Sequence, residues 1–270
     1  LPEARFSGRF LFSKEQIKMI SFEDEQQSGF KNFLKINDRL CPKIFDAEER
    51  MLPEVRQTLL NIAEFMNNYT ANIFVNLTTT DIVLSGSMGG YTYSEDSDID
   101  LMVLLKTDEN IISAEEFEQQ FIFLNSGLVG RGYKFDIRGH NVDYKWHTDT
   151  PPSSGIYSVK DDIWISRPVK RAYGFTPEQF AEKMAAFVQN ADDFMAALPR
   201  NERNFLTMES CEKAEDFYKS LRKENDRVLT TSPDKEFDID YAVYRCFRRY
   251  GKHNKLMEAV TRSYADNLSS

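Results

Sequence analysis

Two aspartates one residue apart, Asp98 and Asp100, stand where a polar loop runs into the apolar stretch Leu101-Met102-Val103-Leu104-Leu105. A second apolar run, Ile82-Val83-Leu84, lies upstream and breaks at Ser85-Gly86-Ser87. Short apolar runs bounded by Gly, Ser and Asp predict buried strands. Strand side chains alternate, so Asp98 and Asp100 share a face, with Cα atoms roughly 6–7 Å apart at a rise of about 3.3 Å per residue. Carboxylates at that spacing can share a hard divalent cation. A Gly-Ser turn adds close backbone approach and a hydroxyl for phosphate oxygens. Together these residues suit the holding of Mg2+ against a nucleoside triphosphate. An acidic pair in a Ser-rich loop is more often a solvated turn, so the pair gains meaning only alongside Gly86 and Ser87.

The surrounding elements must position these residues. Pro53 and Glu54 suit the first turn of a helix. Val55, Leu59, Ile62 and Met66 then form one apolar stripe that should back the sheet, with Asn67-Asn68 as its end. Ser113 can cap another helix carrying Phe117, Phe121 and Leu124. Residues 132–148 read as a β-hairpin joined near Gly139-His140-Asn141. In its second arm Val142, Tyr144 and Trp146 share one face, and Asp143, Lys145 and His147 the other. Further strands are predicted at 156–159 and 163–165.

Thr176-Pro177-Glu178-Gln179 is a capping box, followed by the stripe Phe180, Met184, Phe187, Ala191, Phe194 and Leu198. Another helix holds Cys211, Ala214, Phe217 and Leu221. A final helix is predicted over about 239–264. On it Arg245, Arg248, Arg249 and Lys252 fall on one face, and Ile239, Val243, Cys246, Phe247 and Tyr250 on the opposite one. The basic face reads either as solvated surface or as a phosphate contact across a cleft.

A Gly-Ser turn, a spacer and Asp-x-Asp on a strand resemble the signature of the polymerase-β-like nucleotidyltransferases. The wider run over residues 42 to about 166, including PKIFDAEERMLPEVRQTLLNIAEF, NVDYKWH and SSGIYSVKDDIWI, resembles uncharacterised nucleotidyltransferases often encoded by bacteriophages. Those relatives often carry Ala-Asn where this chain has Gly89-Gly90, and His where it has Met102. The expected fold is α/β (α+β): the resemblance implies a small mixed sheet backed by helices, and the helical patterns after residue 170, which carry no such resemblance, add a C-terminal helical subdomain. It also implies a third carboxylate on a neighbouring strand. Asp143 is the preferred residue and Asp136 its rival. The implied ligands are Mg2+ (or Mn2+) on Asp98, Asp100 and Asp143, with the NTP phosphates at Gly86 and Ser87. The implied reaction is NMP transfer to a hydroxyl of RNA, a second nucleotide, a protein or a small molecule. A catalytically silent nucleotide-binding or scaffold protein on the same fold is the alternative.

Composition sets the bounds. The chain has 270 residues, 41% apolar and 29% charged, which is ordinary for a globular protein. The expected division is an N-terminal arm over 1–45, the catalytic core over 46–166 and the helical subdomain over 170–270. No apolar run is long enough for a transmembrane helix, and the first ten residues lack the core of a secretion signal. Three scattered cysteines fit a reducing compartment and argue against a disulfide framework or a zinc site. His140, His147 and His253 lack metal-ligand spacing, apart from the loose pair His140 and His147 flanking residues 141–146. A cytoplasmic location, bacterial or in a phage-infected host, is the expectation. A net charge of −9 argues against indiscriminate coating of nucleic acid, though not against a local basic groove.

Overall fold

The computed structural model describes residues 33–71, 78–106, 113, 116, 120, 134–150, 152–153, 155–249 and 252–269. Its centre is a mixed six-stranded sheet in the order β3-β4-β2-β1-β5-β6. The strands are β1 (Thr78–Ser85), β2 (Ile99–Lys106), β3 (Asp136–Ile137), β4 (His140–His147), β5 (Ile156–Ser158) and β6 (Ile163–Ser166). β1 pairs antiparallel with β2 and β5, whereas β2 and β4 run parallel. The described helices are α1 (Pro53–Ala71), α2 (Pro177–Ala197), α3 (Met208–Thr231), α4 (Ile239–Arg249) and α5 (Lys252–Leu268). The architecture is therefore the α+β fold expected, a mixed sheet followed by C-terminal helices.

Alternation decides which sheet face is dry. Ile99, Leu101, Val103 and Leu105 of β2 join Val142, Tyr144 and Trp146 of β4 in one core with Val55, Leu59, Ile62 and Met66 of α1. The opposite face carries a small cluster of Val83, Met102, Leu104 and Ile156. Asp100 and Asp143 belong to this second face because they alternate with the first. α1 continues past Asn67-Asn68 to Ala71; asparagine is a weak helix former without being a breaker.

The second core gathers Phe180, Met184, Val188, Ala191 and Met195 of α2 with Cys211, Ala214 and Tyr218 of α3 and Val243, Cys246 and Phe247 of α4. Phe187 and Phe194, expected in the stripe, only flank it, while Val188 and Met195 take the centre. The Thr176 capping box is formed: Gln179 N donates to Thr176 Oγ1, and Thr176 N to Gln179 Oε1. Phe33 packs into the helical core, whereas Leu40, Cys41, Ile44 and Phe45 pack into the sheet core. One segment therefore anchors in both.

One expectation changes in detail. The hairpin turn lies at Arg138-Gly139, closed by the pair Ile137↔His140 with Asp136↔Asn141 next to it. Both turn residues have positive φ, 54° and 86°, as a two-residue type I′ turn requires. Over the final predicted helix the structure describes α4 to Arg249 and α5 from Lys252, and residues 250–251 lie outside the described residues. Tyr250 lies outside the described residues, as does the side chain of Lys252. The stripe Phe117, Phe121 and Leu124 also lies outside them, although Ser113 and Glu116 make a reciprocal capping contact. Among the described residues no helix is long and apolar enough to cross a membrane.

Candidate active site

The Gly-Ser turn and the aspartates meet at one end of the sheet. Ser85, the last residue of β1, pairs with Asp100 of β2, and the chain then turns at Gly86 with φ 69° and ψ −158°. A Cβ on Gly86 would lie 2.0 Å from Asp100 Oδ2. Glycine is thus required twice here, for the backbone conformation and for room beside the carboxylate. A 3-10 turn follows over Ser87–Gly89. It lies backbone to backbone on the next loop, since a Cβ on Gly155 would lie 1.7 Å from Gly89 O.

Ser97 ties the turn to the aspartate loop. Its Oγ accepts from Ser94 N at 2.9 Å and meets Ser87 Oγ at 3.1 Å. Its carbonyl lies 2.9 Å from Nδ1 of the buried His140, so Nδ1–H donates and fixes the tautomer. His140 opens β4, three residues before Asp143, so this link holds the loop against the strand that bears the third carboxylate. Asn37 Nδ2 holds the same loop from outside by donating to the carbonyls of Tyr91 and Tyr93.

The parallel pairing of β2 with β4 sets Asp100 directly opposite Asp143. Asp98, Asp100 and Asp143 all line one cavity of about 690 Å3. Asp136 does not line it; its Oδ1 accepts from Gly139 N at 2.9 Å within the hairpin turn. Burial pushes the Asp100 carboxyl up to about 6; Lys145 pulls it back, while Asp143 and Asp98 add to the rise. Asp98 is raised as well, first by desolvation and then by the Asp143 charge. Neither the Asp98 nor the Asp100 carboxylate has a hydrogen-bond or ion-pair partner among the described residues. Asp143 does have one: Lys145 Nζ donates to its Oδ2 at 2.6 Å.

The facing wall is helical, with Asn225 of α3, Asn254 of α5, and Tyr241, Tyr244 and the arginines of α4. Of the basic stripe, Arg245, Arg248 and Arg249 line the cavity. Arg245 donates from both terminal nitrogens to Thr92, through Oγ1 and the carbonyl, each at 3.3 Å, and lies over the Phe33 ring. Arg249 donates to Ser94 Oγ and lies 3.9 Å from Asp96. Arg248 is exposed and has no hydrogen-bond or ion-pair partner among the described residues. The stripe divides accordingly: two arginines hold the aspartate loop, and one is available to a ligand.

The residues fit a divalent cation in chemistry. Two unpaired carboxylates with raised pKa, beside a third, are an excess of negative charge with hard oxygen donors, which suits Mg2+ or Mn2+. They are not a closed cage. Among the described residues no three His, Cys, Asp or Glu side chains are drawn together closely enough to hold a metal, and Lys145 occupies Asp143. Any cation would have to draw the carboxylates inward and displace that ammonium.

The sequence reading missed the roles of Ser97, His140 and Lys145. Alternation does place Lys145 on the face of Asp143, which was the available signal; nothing in the chain points from Ser97 to His140. No family model, no curated protein and no solved structure matches the chain.

Proposed function

We propose that this protein is a metal-dependent nucleotidyltransferase that moves NMP from an NTP to a hydroxyl acceptor. The observation that carries the reading is the meeting of Asp98, Asp100 and Asp143 in one cavity with Ser87, opposite the unpartnered Arg248. Acids alone would suit many sites. Acids facing an unpaired arginine across a cleft suit a ligand that is itself polyanionic and brings cations with it.

Asp98, Asp100 and Asp143 would hold Mg2+ or Mn2+. When bound, such ions supply Lewis-acid stabilisation of the entering and leaving oxygens and lower the pKa of the acceptor hydroxyl. The chain's own residues do the rest. The Ser87 hydroxyl orients the phosphates, and Arg248 neutralises charge from the far wall. Asp143, at the rim, takes the acceptor's proton. The acceptor oxygen then forms its bond to the α-phosphorus as the bond to the β-phosphate oxygen breaks, and pyrophosphate leaves.

The test is incubation with each α-labelled NTP and Mg2+ or Mn2+, measuring pyrophosphate and the labelled product. Release that is lost in Asp100→Asn supports the reading. Tight NTP binding without any release would leave a silent nucleotide-binding protein instead.

A further inference from the structure

Lys145 is the one cation on the sheet side of the cavity wall among the described residues. It lies two residues beyond Asp143 on β4, opposite Met102 of β2, and folds back so that Nζ reaches Asp143 Oδ2 at 2.6 Å. Its charge also acts on Asp98 and Asp100. One ammonium thus serves three carboxylates. The pair is 43% and 48% exposed, so it contributes little to stability and can be displaced.

Asp143 Oδ2 cannot hold this ammonium and a divalent cation together, and the two positive charges would repel at that distance. We infer that Lys145 is a built-in counter-ion: it competes with the divalent cation for Asp143 and leaves when a triphosphate offers it oxygens in exchange. The inference rests on the proposed cation site. Its consequence is that cation alone binds weakly, whereas cation and triphosphate together bind well. Linkage makes this reciprocal, since whatever releases Lys145 favours both.

Mn2+ binding, read as free Mn2+ by electron paramagnetic resonance, separates the possibilities without catalysis. Lys145→Met should bind Mn2+ alone about tenfold more tightly than the wild type, yet bind Mn2+–tripolyphosphate about tenfold more weakly. Lys145→Arg, which keeps the charge, should behave like the wild type in both. Opposite signs are the signature, because a lysine that merely shaped the site would move both affinities the same way. Changes of like sign, or none, overturn the counter-ion role, provided wild-type binding is lost in Asp100→Asn. Absence of Mn2+ binding in both the wild type and Lys145→Met overturns the cation site itself and the inference with it.

Discussion

Asp100 and Asp143 face each other across adjacent parallel strands, with the Gly86 backbone packed against the Asp100 carboxylate. Neither acid can be moved without disturbing the other's field. Substituting Asp98, Asp100 or Asp143 by Asn should each lower pyrophosphate release by more than about 100-fold. Asp136→Asn should retain most activity, because Asn keeps an acceptor for Gly139 N and position 136 does not line the cavity. Steady-state rates on folded variants check this.

Stability should depend on pH through Asp100. Its carboxyl is raised from 3.8 to about 6 in the folded chain, so folding favours the protonated form. That contribution is fully present below about pH 4 and is lost as pH rises through about 6. At neutral pH the ionised group costs on the order of 2–3 kcal/mol. Asp100→Asn should therefore melt higher than the wild type at pH 7.5 without metal, with the gap closing toward pH 4. Mn2+ should raise the wild-type melting temperature and leave the variant unmoved. Thermal denaturation across pH decides it; a variant that melts lower at pH 7.5 would contradict the assignment.

Gly86→Ala tests how closely the turn and the acid are fitted. In the wild type the new methyl meets Asp100 Oδ2 and the backbone is held at positive φ. In an Asp100→Ala background only the backbone cost remains, roughly 1–2 kcal/mol. A double-mutant cycle by chemical denaturation should show this coupling. Equal costs in both backgrounds would mean that the carboxylate moves aside freely.

The arginines of α4 should separate by assay. Arg248→Glu should weaken NTP binding strongly at low salt, with the loss shrinking as salt rises, and leave the melting temperature unchanged. Arg245→Ala should instead lower stability by about 1–2 kcal/mol, since it releases Thr92 and the contact over Phe33. Titration calorimetry at two ionic strengths and denaturation distinguish the two.

What the sequence alone revealed was local. Alternation was enough to place Asp98 with Asp100, and Asp143 with Lys145, because a strand has a period of two. The Thr176 capping box and the α1 stripe follow from spacings of three and four. The register of Asp100 on Asp143 is different: β2 and β4 are separated by more than thirty residues, and no local pattern encodes parallel pairing. The same holds for Arg245 on Thr92 and Arg249 on Ser94, where the helical face was legible but its partner was not.

The anchoring of residues 33–45 in both hydrophobic cores bears on how the protein can be taken apart. Phe33 belongs to the helices and Leu40 to the sheet, so a short tether crosses from one wall of the cleft to the other. A fragment beginning after this tether would leave a hole in each half. Reconstitution from separately expressed halves should therefore succeed only when the tether is supplied, and a peptide spanning it would act as a mechanical staple that limits how far the cleft can gape.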